Sequence, residues 1–361
     1  MKAKEERANE ADHEVKQRLE EVEKEEEEEG EERAAWFKPF ADEVSLGGFI
    51  DLNYDYTDVL DTGDANSGSS SDFYIGSIEG ALRIIFNDWV KTKIVLNVED
   101  IGKEGEDGKF NLDEAFVTLE SPWAPLYLVA GKTVLPFGVF EDHLISGTLT
   151  EELYEIQRIG ATLGYTPDFH GLDLSFTIYE GHDIINNLQD FHTHKYRSRR
   201  KPERRLKSFI VNASFEPVPE TLLLSLYYDN EPGDGRRNQT IGASVTYNIW
   251  KFSLDGEYIT ALSREKGEDG EENKESAWFA ALAFQLLEPL ELAVRYEDFD
   301  DDRGGDQNEV LDYSCLAGFN YQIFSFATFS FEYRYHNFEK EKGSEAVGDA
   351  NEFHFRLSLE F

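Results

Sequence analysis

The segment 138–156, GVFEDHLISGTLTEELYEI, combines acidic and apolar side chains in a pattern that suits charge selection rather than covalent chemistry. Its apolar residues need burial, because a cluster of this kind is costly when it hangs in solvent. Folding the segment into a wide channel would bury them and leave its polar residues facing a solute. We therefore predict a constriction whose charge filter consists of Glu141, Asp142, His143, Glu151, Glu152 and Glu155.

Such a filter needs cations on the opposite wall. Opposed acidic and basic walls create a transverse field that orients a passing solute. A turn formed by Pro136, Phe137 and Gly138 is expected to start the loop. A loop that caps the channel mouth and plays no role in permeation remains the alternative. The predicted cationic wall consists of Arg83, Lys91, Lys93, Lys132, Arg158, Arg295 and Arg334.

A second acidic pattern, Asp298, Asp300 and Asp302 with Glu309 at the twelfth position, has the spacing of a calcium loop. Position six is Arg303, where the sharp turn of an EF-hand requires glycine. The pattern therefore predicts at most a loosely bound Ca²⁺ ion and no true EF-hand. No other cofactor is expected.

Other kinds of chemistry find little support in the sequence. Cys315 is the single cysteine, which excludes an intramolecular disulfide and a CxxC redox site. No GxSxG motif and no glycine-rich phosphate loop follows a strand, so we expect no enzyme. With 74 acidic against 35 basic residues, the formal net charge is -39. Such a surface repels phosphate, and we expect no nucleic-acid partner.

The elements that would carry these residues are β-strands. From Val44 onward the hydrophobic pattern has a period of two, and each amphipathic segment is about ten residues long, the length that a tilted strand needs to cross a bilayer. The predicted fold class is all-β, a transmembrane antiparallel up-and-down β-barrel of about 16 strands. The segments are 44–56, 74–86, 89–100, 110–120, 125–135, 157–166, 171–180, 207–216, 221–230, 238–248, 251–261, 276–286, 290–298, 310–321, 326–337 and 351–361.

The connections support this fold over a soluble β-sandwich, whose strands also alternate. Short turns follow the even-numbered strands and long polar insertions follow the odd-numbered ones, as in outer-membrane barrels. Charged residues such as Glu257, Arg295 and Glu332 fall on the inward face of the strands. In the dry core of a β-sandwich each unpaired ion would be costly, whereas in a water-filled lumen the cost is small. In the last strand, Phe353 and Phe355 share the outward face.

Residues 1–40 form a separate acidic arm, which precedes a barrel domain at 41–361. Residues 1–33 hold 15 acidic and 7 basic residues, and a thin apolar stripe recurs at helical spacing. Either a short coiled coil or a solvated helix fits this pattern. No apolar signal-peptide core follows Met1. An even strand count places the arm on the short-turn, periplasmic side.

Three stretches carry a resemblance to a known family: FNDWVKTKIVLNVED, NLDEAFVTLE, and the run from Val129 to Tyr165 that contains Gly131, Lys132 and LPFG at 135–138. They resemble the LbtU-type siderophore porins of the Gram-negative outer membrane, mainly over residues 44–181. The Pro-Phe-Gly turn is also similar to that of phosphate-selective and DcaP-like porins. The resemblance implies uptake of ferric siderophores without a plug domain.

Together, the pattern and the resemblance predict a passive porin for small hydrophilic solutes or chelates. It would contact outer-membrane lipid and lipopolysaccharide and form a homo-oligomer, with a trimer favoured. The basic block 192–207 would recruit anionic groups or simply balance neighbouring acidic loops. Two other functions remain open: a structural protein whose arm tethers the envelope, and a barrel that sheathes an electron-transfer partner.

Overall fold

The computed structural model describes residues 41–60, 68–105, 108–140, 142–190, 206–267, 270, 272–301, 311–338 and 349–361. The predicted arm 1–40 and most of the basic block 192–207 lie outside these residues, so the predictions for them are not tested here.

Sixteen antiparallel strands close into one barrel, in which every strand pairs with its sequence neighbours and β1 pairs with β16. The predicted fold and strand number are confirmed, and each strand overlaps one predicted segment. The strands are β1 (Glu43–Leu60), β2 (Gly68–Asn87), β3 (Val90–Ile101), β4 (Lys109–Glu120), β5 (Leu126–Val134), β6 (Gln157–Tyr165), β7 (Asp173–Tyr179), β8 (Ser208–Val218), β9 (Leu222–Glu231), β10 (Asn238–Ile249), β11 (Phe252–Ser263), β12 (Glu275–Leu287), β13 (Leu290–Asp301), β14 (Leu311–Phe324), β15 (Ala327–Phe338) and β16 (Asp349–Glu360).

The register at the closure shows how the sequence pattern becomes two barrel faces. Ser358 lies opposite Asp51, and Leu357 lies opposite Leu52. Because successive side chains point to opposite faces of a strand, the polar pair faces the lumen and the apolar pair faces outward. A shift by one residue would exchange the two faces, so the pattern fixes the register.

Aromatic side chains form contacts near both ends of the outer face. Toward the long loops, the Trp278 and Tyr296 rings are 5.3 Å apart and stand beside Tyr313. Toward the short turns, the Phe252 and Phe284 rings stack at 4.6 Å. Two such belts are typical of a barrel whose strands cross hydrocarbon between two polar interfaces.

The described parts of two long connections lie inside the barrel, and each contains one helix. The connection 135–156, which we call the constriction loop, contains α1 (Leu149–Tyr154), and the connection 180–207 contains α2 (Asp183–Asp190). The sequence pattern did not predict either helix. Within the described part of the chain, neither helix has the length and apolar content that a membrane-spanning helix requires.

The principal hydrophobic cluster lies inside the barrel, between these two connections and the wall. Its members come from the constriction loop, from α2 and from the inner faces of β7–β14, and nearly all are less than 7 % exposed. Burial of this kind stabilises by about 1.5–3 kcal/mol per large side chain. The cluster includes Leu135, Phe137, Leu149, Leu153, Tyr154, Ile156, Tyr179, Ile184, Ile185, Leu188, Ile210, Tyr227 and Ile259.

Candidate functional site

The constriction loop leaves the wall at the predicted turn, directly after β5. Phe137 is fully buried, and its ring meets that of Tyr227 edge-on at 5.1 Å. Gly138 has a φ of 90°, and a β-carbon there would collide with the Phe140 ring. Glycine is therefore required at this position, because the backbone turns inward with no room for a side chain. Pro136, Phe137 and Gly138 thus direct the chain into the lumen.

Helix α1 begins with a capping box inside the lumen. The Glu151 backbone N–H donates to the Thr148 hydroxyl over 3.1 Å, and the Thr148 N–H donates to the Glu151 carboxylate over 3.2 Å. Two N–H groups at the helix start are satisfied in this way. One oxygen of the Glu151 carboxylate therefore stabilises the conformation of the loop itself.

Wall carboxylates hold the loop through its backbone. Glu332 on β15 accepts bonds from the Ile145 and Ser146 N–H groups over 2.8 and 3.0 Å and from the Ser146 hydroxyl over 2.6 Å. Glu257 on β11 accepts from the Val139 N–H over 2.9 Å. Hydrogen bonds to an ionised acceptor are about twice as strong as neutral ones, so these contacts fix the loop against the wall.

Arg295 is an anchor of the loop and not, as predicted, part of the pore wall. Its side chain is fully buried beneath the loop and donates to the Ser146 and Gly147 carbonyls over 3.0 and 2.8 Å. It also pairs with Glu297 on its own strand, over 2.9 Å. The prediction was wrong because the alternation of apolar and polar residues shows which face of the barrel a side chain occupies, but not whether another segment of the chain buries it.

Asp142 and His143 were predicted to face the cationic wall, and the structure places only Asp142 against one of its predicted members. Asp142 pairs with Arg295 over 2.6 Å. The His143 ring lies between Asp255 and Glu291, at 3.1 and 3.3 Å. Hydrogen bonds to these two carboxylates raise the pKa of His143 to about 10, so the ring stays protonated at neutral pH. Glu141 lies outside the described residues.

The remaining predicted acids border a cavity of about 780 Å³ between the loop, α2 and the wall. Burial, followed by the nearby charges of Glu151 and Asp113, raises the pKa of Glu155 to about 7. Among the described residues, no cationic side chain lies within ion-pair distance of the Glu152 or Glu155 carboxylate. The cavity is lined by Lys132, Gly147, Glu151, Glu152, Glu155, Gln157, Arg158, Asp183, Asn186, Asn187 and Gln189.

The predicted cations face the lumen for the most part, but several are already paired. The Arg158 guanidinium donates to both Asp183 oxygens over 2.6 Å, which holds α2 to β6. Lys91 pairs with Glu120 over 2.7 Å. Further pairs join Lys93 to Glu114 over 2.5 Å, and Arg334 to Glu332 and Glu352 over 3.6 and 3.9 Å. Arg83 is exposed beside Lys93.

Lys132 lines the cavity together with Glu151 and Glu155, and its ammonium group donates to the Leu112 carbonyl over 2.5 Å. The residue before it, Gly131, has a φ of 140°, which interrupts the regular alternation of β5. A role for Lys132 in a cationic wall stays a prediction.

The acidic pattern near residue 300 is not one continuous loop. Asp298 and Asp300 belong to β13, where they pair with Trp278 and Ser276 of β12, while 302–310 lies outside the described residues. A paired strand cannot wrap its first two acids around an ion as a calcium loop does. In the described part of the chain, no three His, Cys, Asp or Glu side chains form a group that could hold a metal ion. The loosely bound Ca²⁺ stays a prediction.

Several functional residues escaped the sequence analysis. Glu257 and Glu332 were recognised as inward-facing, but their bonds to the constriction loop join residues 107–187 positions apart in sequence. Asn320 and Arg356 also donate to loop carbonyls, those of His143 and Ile145. The only available signal was an inward-facing charge without an evident partner on its own strand.

Comparisons with known proteins agree with this architecture. The family model described as Gram-negative porin matches residues 34–341. No curated protein matches this sequence. Among solved structures, an anion-selective porin from Comamonas acidovorans is 14 % identical, with a TM-score of 0.64, over 88 % of this chain and 99 % of that one.

Two further structures show the same fold. The outer-membrane channel DcaP of Acinetobacter baumannii is 11 % identical, with a TM-score of 0.65, over 88 % of this chain and 97 % of that one. The trimer form of OmpT from Vibrio cholerae is 14 % identical, with a TM-score of 0.58, over 89 % of this chain and all of that one. Since the family model covers most of the sequence, the chain belongs to the Gram-negative porin family.

Proposed function

We propose that this outer-membrane channel passes small hydrophilic solutes by passive diffusion, and that its constriction loop gives it a preference for cations. The observation that carries the proposal is the placement of Glu151, Glu152 and Glu155 around a cavity inside the lumen. Of the two cations that line the cavity, Arg158 is bound to Asp183 and Lys132 donates to the Leu112 carbonyl. Carboxylates outnumber cations in the lining and therefore set the sign of the local field.

The dimensions and lining of the cavity suit a hydrated solute. A volume of about 780 Å³ lies within the range of sites that take small molecules. Gln157, Asn186, Asn187 and Gln189 supply amide groups that can replace part of a solute's hydration shell. Exclusion by width and attraction by charge together account for selection without covalent chemistry.

The test replaces Glu151, Glu152 and Glu155 by Gln and measures the reversal potential in planar bilayers under a KCl gradient. Loss of these carboxylates should shift the potential toward that of an anion-preferring channel. Glu288→Gln is the matched control, because Glu288 is exposed in the short turn between β12 and β13. An unchanged potential in the triple variant would remove the constriction loop from the charge filter.

A ferric siderophore as cargo follows only from the resemblance to LbtU-type porins, and it stays a prediction. An anionic chelate would need local cations to overcome the acidic balance of the chain. Deleting 192–207 should weaken conductance block by anionic chelates and leave block by neutral sugars unchanged. Equal loss of both kinds of block would remove this segment from solute recruitment.

We propose a homotrimer as the assembly, because the described barrel has the same fold as the trimer form of OmpT from Vibrio cholerae. Sedimentation of the detergent-solubilised protein would distinguish three copies from one. The periplasmic arm, a lipopolysaccharide partner, envelope tethering and the electron-transfer sheath stay predictions. Envelope detachment in cells that lack residues 1–40, with conductance intact, would favour tethering.

A further inference from the structure

We propose that Asp229 and Glu231, which we call the acid pair, share one bound proton at neutral pH, and that this proton keeps α2 packed against the barrel wall. The inference goes beyond the proposed function, which concerns the carboxylates of the constriction loop. It assigns a proton-binding site to the space between β9 and α2, and it makes the position of α2 depend on pH.

The acid pair lies on the inner face of β9 and is almost completely buried. Asp229 and Glu231 are two positions apart, so their side chains point to the same face of the strand. They are 1 % and 0 % exposed. The Tyr179 hydroxyl on β7 donates to both carboxylates, over 2.6 Å to Asp229 and 3.1 Å to Glu231. Because a hydroxyl carries a single hydrogen, the two carboxylates compete for the same donor.

Each member of the acid pair also has an oxygen without a donor. Within the described part of the chain, Asp229 Oδ2 and Glu231 Oε2 have no hydrogen-bond partner. A buried carboxylate with too few donors is costly when it is ionised, and two of them beside one hydroxyl also repel each other. A proton on one carboxyl removes this repulsion and supplies an O–H donor to the other.

The nearby cations are bonded to other carboxylates. The Arg158 guanidinium donates to both Asp183 oxygens, and Arg264 Nε donates to both Glu275 oxygens. Among the described residues, no cationic side chain lies within ion-pair distance of the acid pair. The two arginines therefore act on it only from a distance. The other titratable groups around the acid pair are Tyr154, Tyr179 and His182.

Helix α2 covers the acid pair with its first turn. The Ile184 N–H donates to the Glu231 carboxylate over 3.4 Å, and the Ile184 and Leu188 side chains are fully buried. Burial raises the pKa of Asp183 in the same turn, while its hydrogen bonds to Arg158 lower it. A second negative charge on the acid pair would repel the Asp183 carboxylate and weaken the packing of this turn.

Loss of the shared proton should therefore release α2. As the pH rises, the proton passes to water, and the acid pair changes from one negative charge to two. The added charge is buried and faces Asp183, so the state in which α2 has moved away and water reaches both carboxylates becomes favoured. Because Asn186 and Gln189 of α2 border the cavity, this movement changes the cavity lining.

The experiment measures the release of α2 by thiol labelling of the full chain in detergent at pH 6, 7.5 and 9. Cys315 is exposed and is first replaced by alanine. Leu188→Cys then places a thiol at a fully buried position of α2. Each rate is divided by the rate of the unfolded chain at the same pH, which removes the effect of thiol ionisation. The corrected rate should rise by about 10- to 100-fold from pH 6 to pH 9.

Variants of the acid pair test the source of this rise. The double variant Asp229→Asn, Glu231→Gln keeps the shape of both side chains and has no proton to lose, so its corrected rate should not change with pH. Each single variant can acquire only one negative charge and should show a smaller rise than the parent. A flat parental rate, or a rise that survives in the double variant, would overturn the proposal.

Glu352→Gln is the matched control, because Glu352 is a lumen carboxylate whose partners Arg334, His336 and His354 lie on β15 and β16. It should keep the parental rise, and loss of the rise there would contradict the assignment to the acid pair. Glu155→Gln should keep it as well. A rise that disappeared in Glu155→Gln would belong to the titration of the constriction loop and would overturn the proposal.

Infrared spectroscopy observes the shared proton directly. At pH 8, the spectrum of the parent minus that of the double variant should contain the C=O stretching band of a protonated carboxylic acid. A bound metal cation in place of the proton would abolish this band and make the labelling rate depend on the cation concentration. Either result would overturn the proposal.

Discussion

Glu155 should give the channel a pH-dependent selectivity near neutrality. Burial, with Glu151 and Asp113 nearby, raises the pKa of its carboxyl to about 7. At that pKa the side chain is about 1 % ionised at pH 5 and about 99 % ionised at pH 9. The negative charge at the cavity therefore grows as the pH rises, and the preference for cations should grow with it.

The size of the effect follows from Coulomb's law. A monovalent cation about 5 Å from one carboxylate in water gains about 0.8 kcal/mol, which corresponds to roughly fourfold enrichment. Salt screens the interaction, with a Debye length of about 10 Å at 0.1 M and about 30 Å at 0.01 M. Recordings at low salt should therefore show the larger change, about fourfold in cation preference between pH 5 and pH 9.

The assay is the reversal potential under a KCl gradient at pH 5, 7 and 9, with Glu155→Gln compared with the parent. The parent should become more cation-preferring as pH rises, and the variant should lack this step. Glu288→Gln, in an exposed short turn, should keep the parental profile. A parental profile that is flat, or a step that survives in Glu155→Gln, would refute the reasoning.

Three further predictions concern the fit between the loops and the wall. Phe137→Ala should cost about 3–5 kcal/mol in the free energy of unfolding in detergent, because it leaves a cavity at a fully buried site against Tyr227. Phe137→Leu fills more of this site and should cost less, so equal costs for the two variants would contradict the packing. Arg264→Met should cost about 3–5 kcal/mol in the free energy of unfolding, because it removes the bidentate partner of the buried Glu275 carboxylate. In the parent, Arg264 Nε lies 3.1 and 3.2 Å from the two Glu275 oxygens, and an unchanged unfolding midpoint in the variant would contradict the prediction. His143 has a pKa raised from 6.5 to about 10 by hydrogen bonds to two carboxylates, so its contribution to stability should be complete below pH 6.5 and disappear as pH rises through 10. The difference in unfolding free energy between the parent and His143→Gln should therefore shrink over that interval, and a constant difference would contradict the assignment.

The barrel could be predicted from the sequence because its physical cause is local. Each strand of a membrane barrel must alternate apolar and polar side chains, and this alternation can be read residue by residue, as in Phe353 to Phe361. The inward burial of the constriction loop was also predictable, since Leu149, Leu153 and Ile156 have no other place to avoid water. Both inferences need only the composition and spacing of one segment.

The side of the barrel against which the loop packs was not predictable. His143 meets Asp255 and Glu291, which lie 112 and 148 positions away, and nothing in the local spacing indicates this contact. The bond from Lys132 to the Leu112 carbonyl was not predictable either, because it joins residues on two different strands.

The sequence by itself therefore determined the strand number, the two barrel faces and the loop that enters the lumen, because alternation and apolar content act over short distances. Only the tertiary structure decided which charges meet. Closing sixteen strands into a ring brings Glu332 to Ser146 and Arg295 to Gly147, and it leaves Glu155 at the cavity. Whether a lumen charge anchors the loop or faces a solute depends on what covers it, which is a property of the folded barrel and not of any one strand.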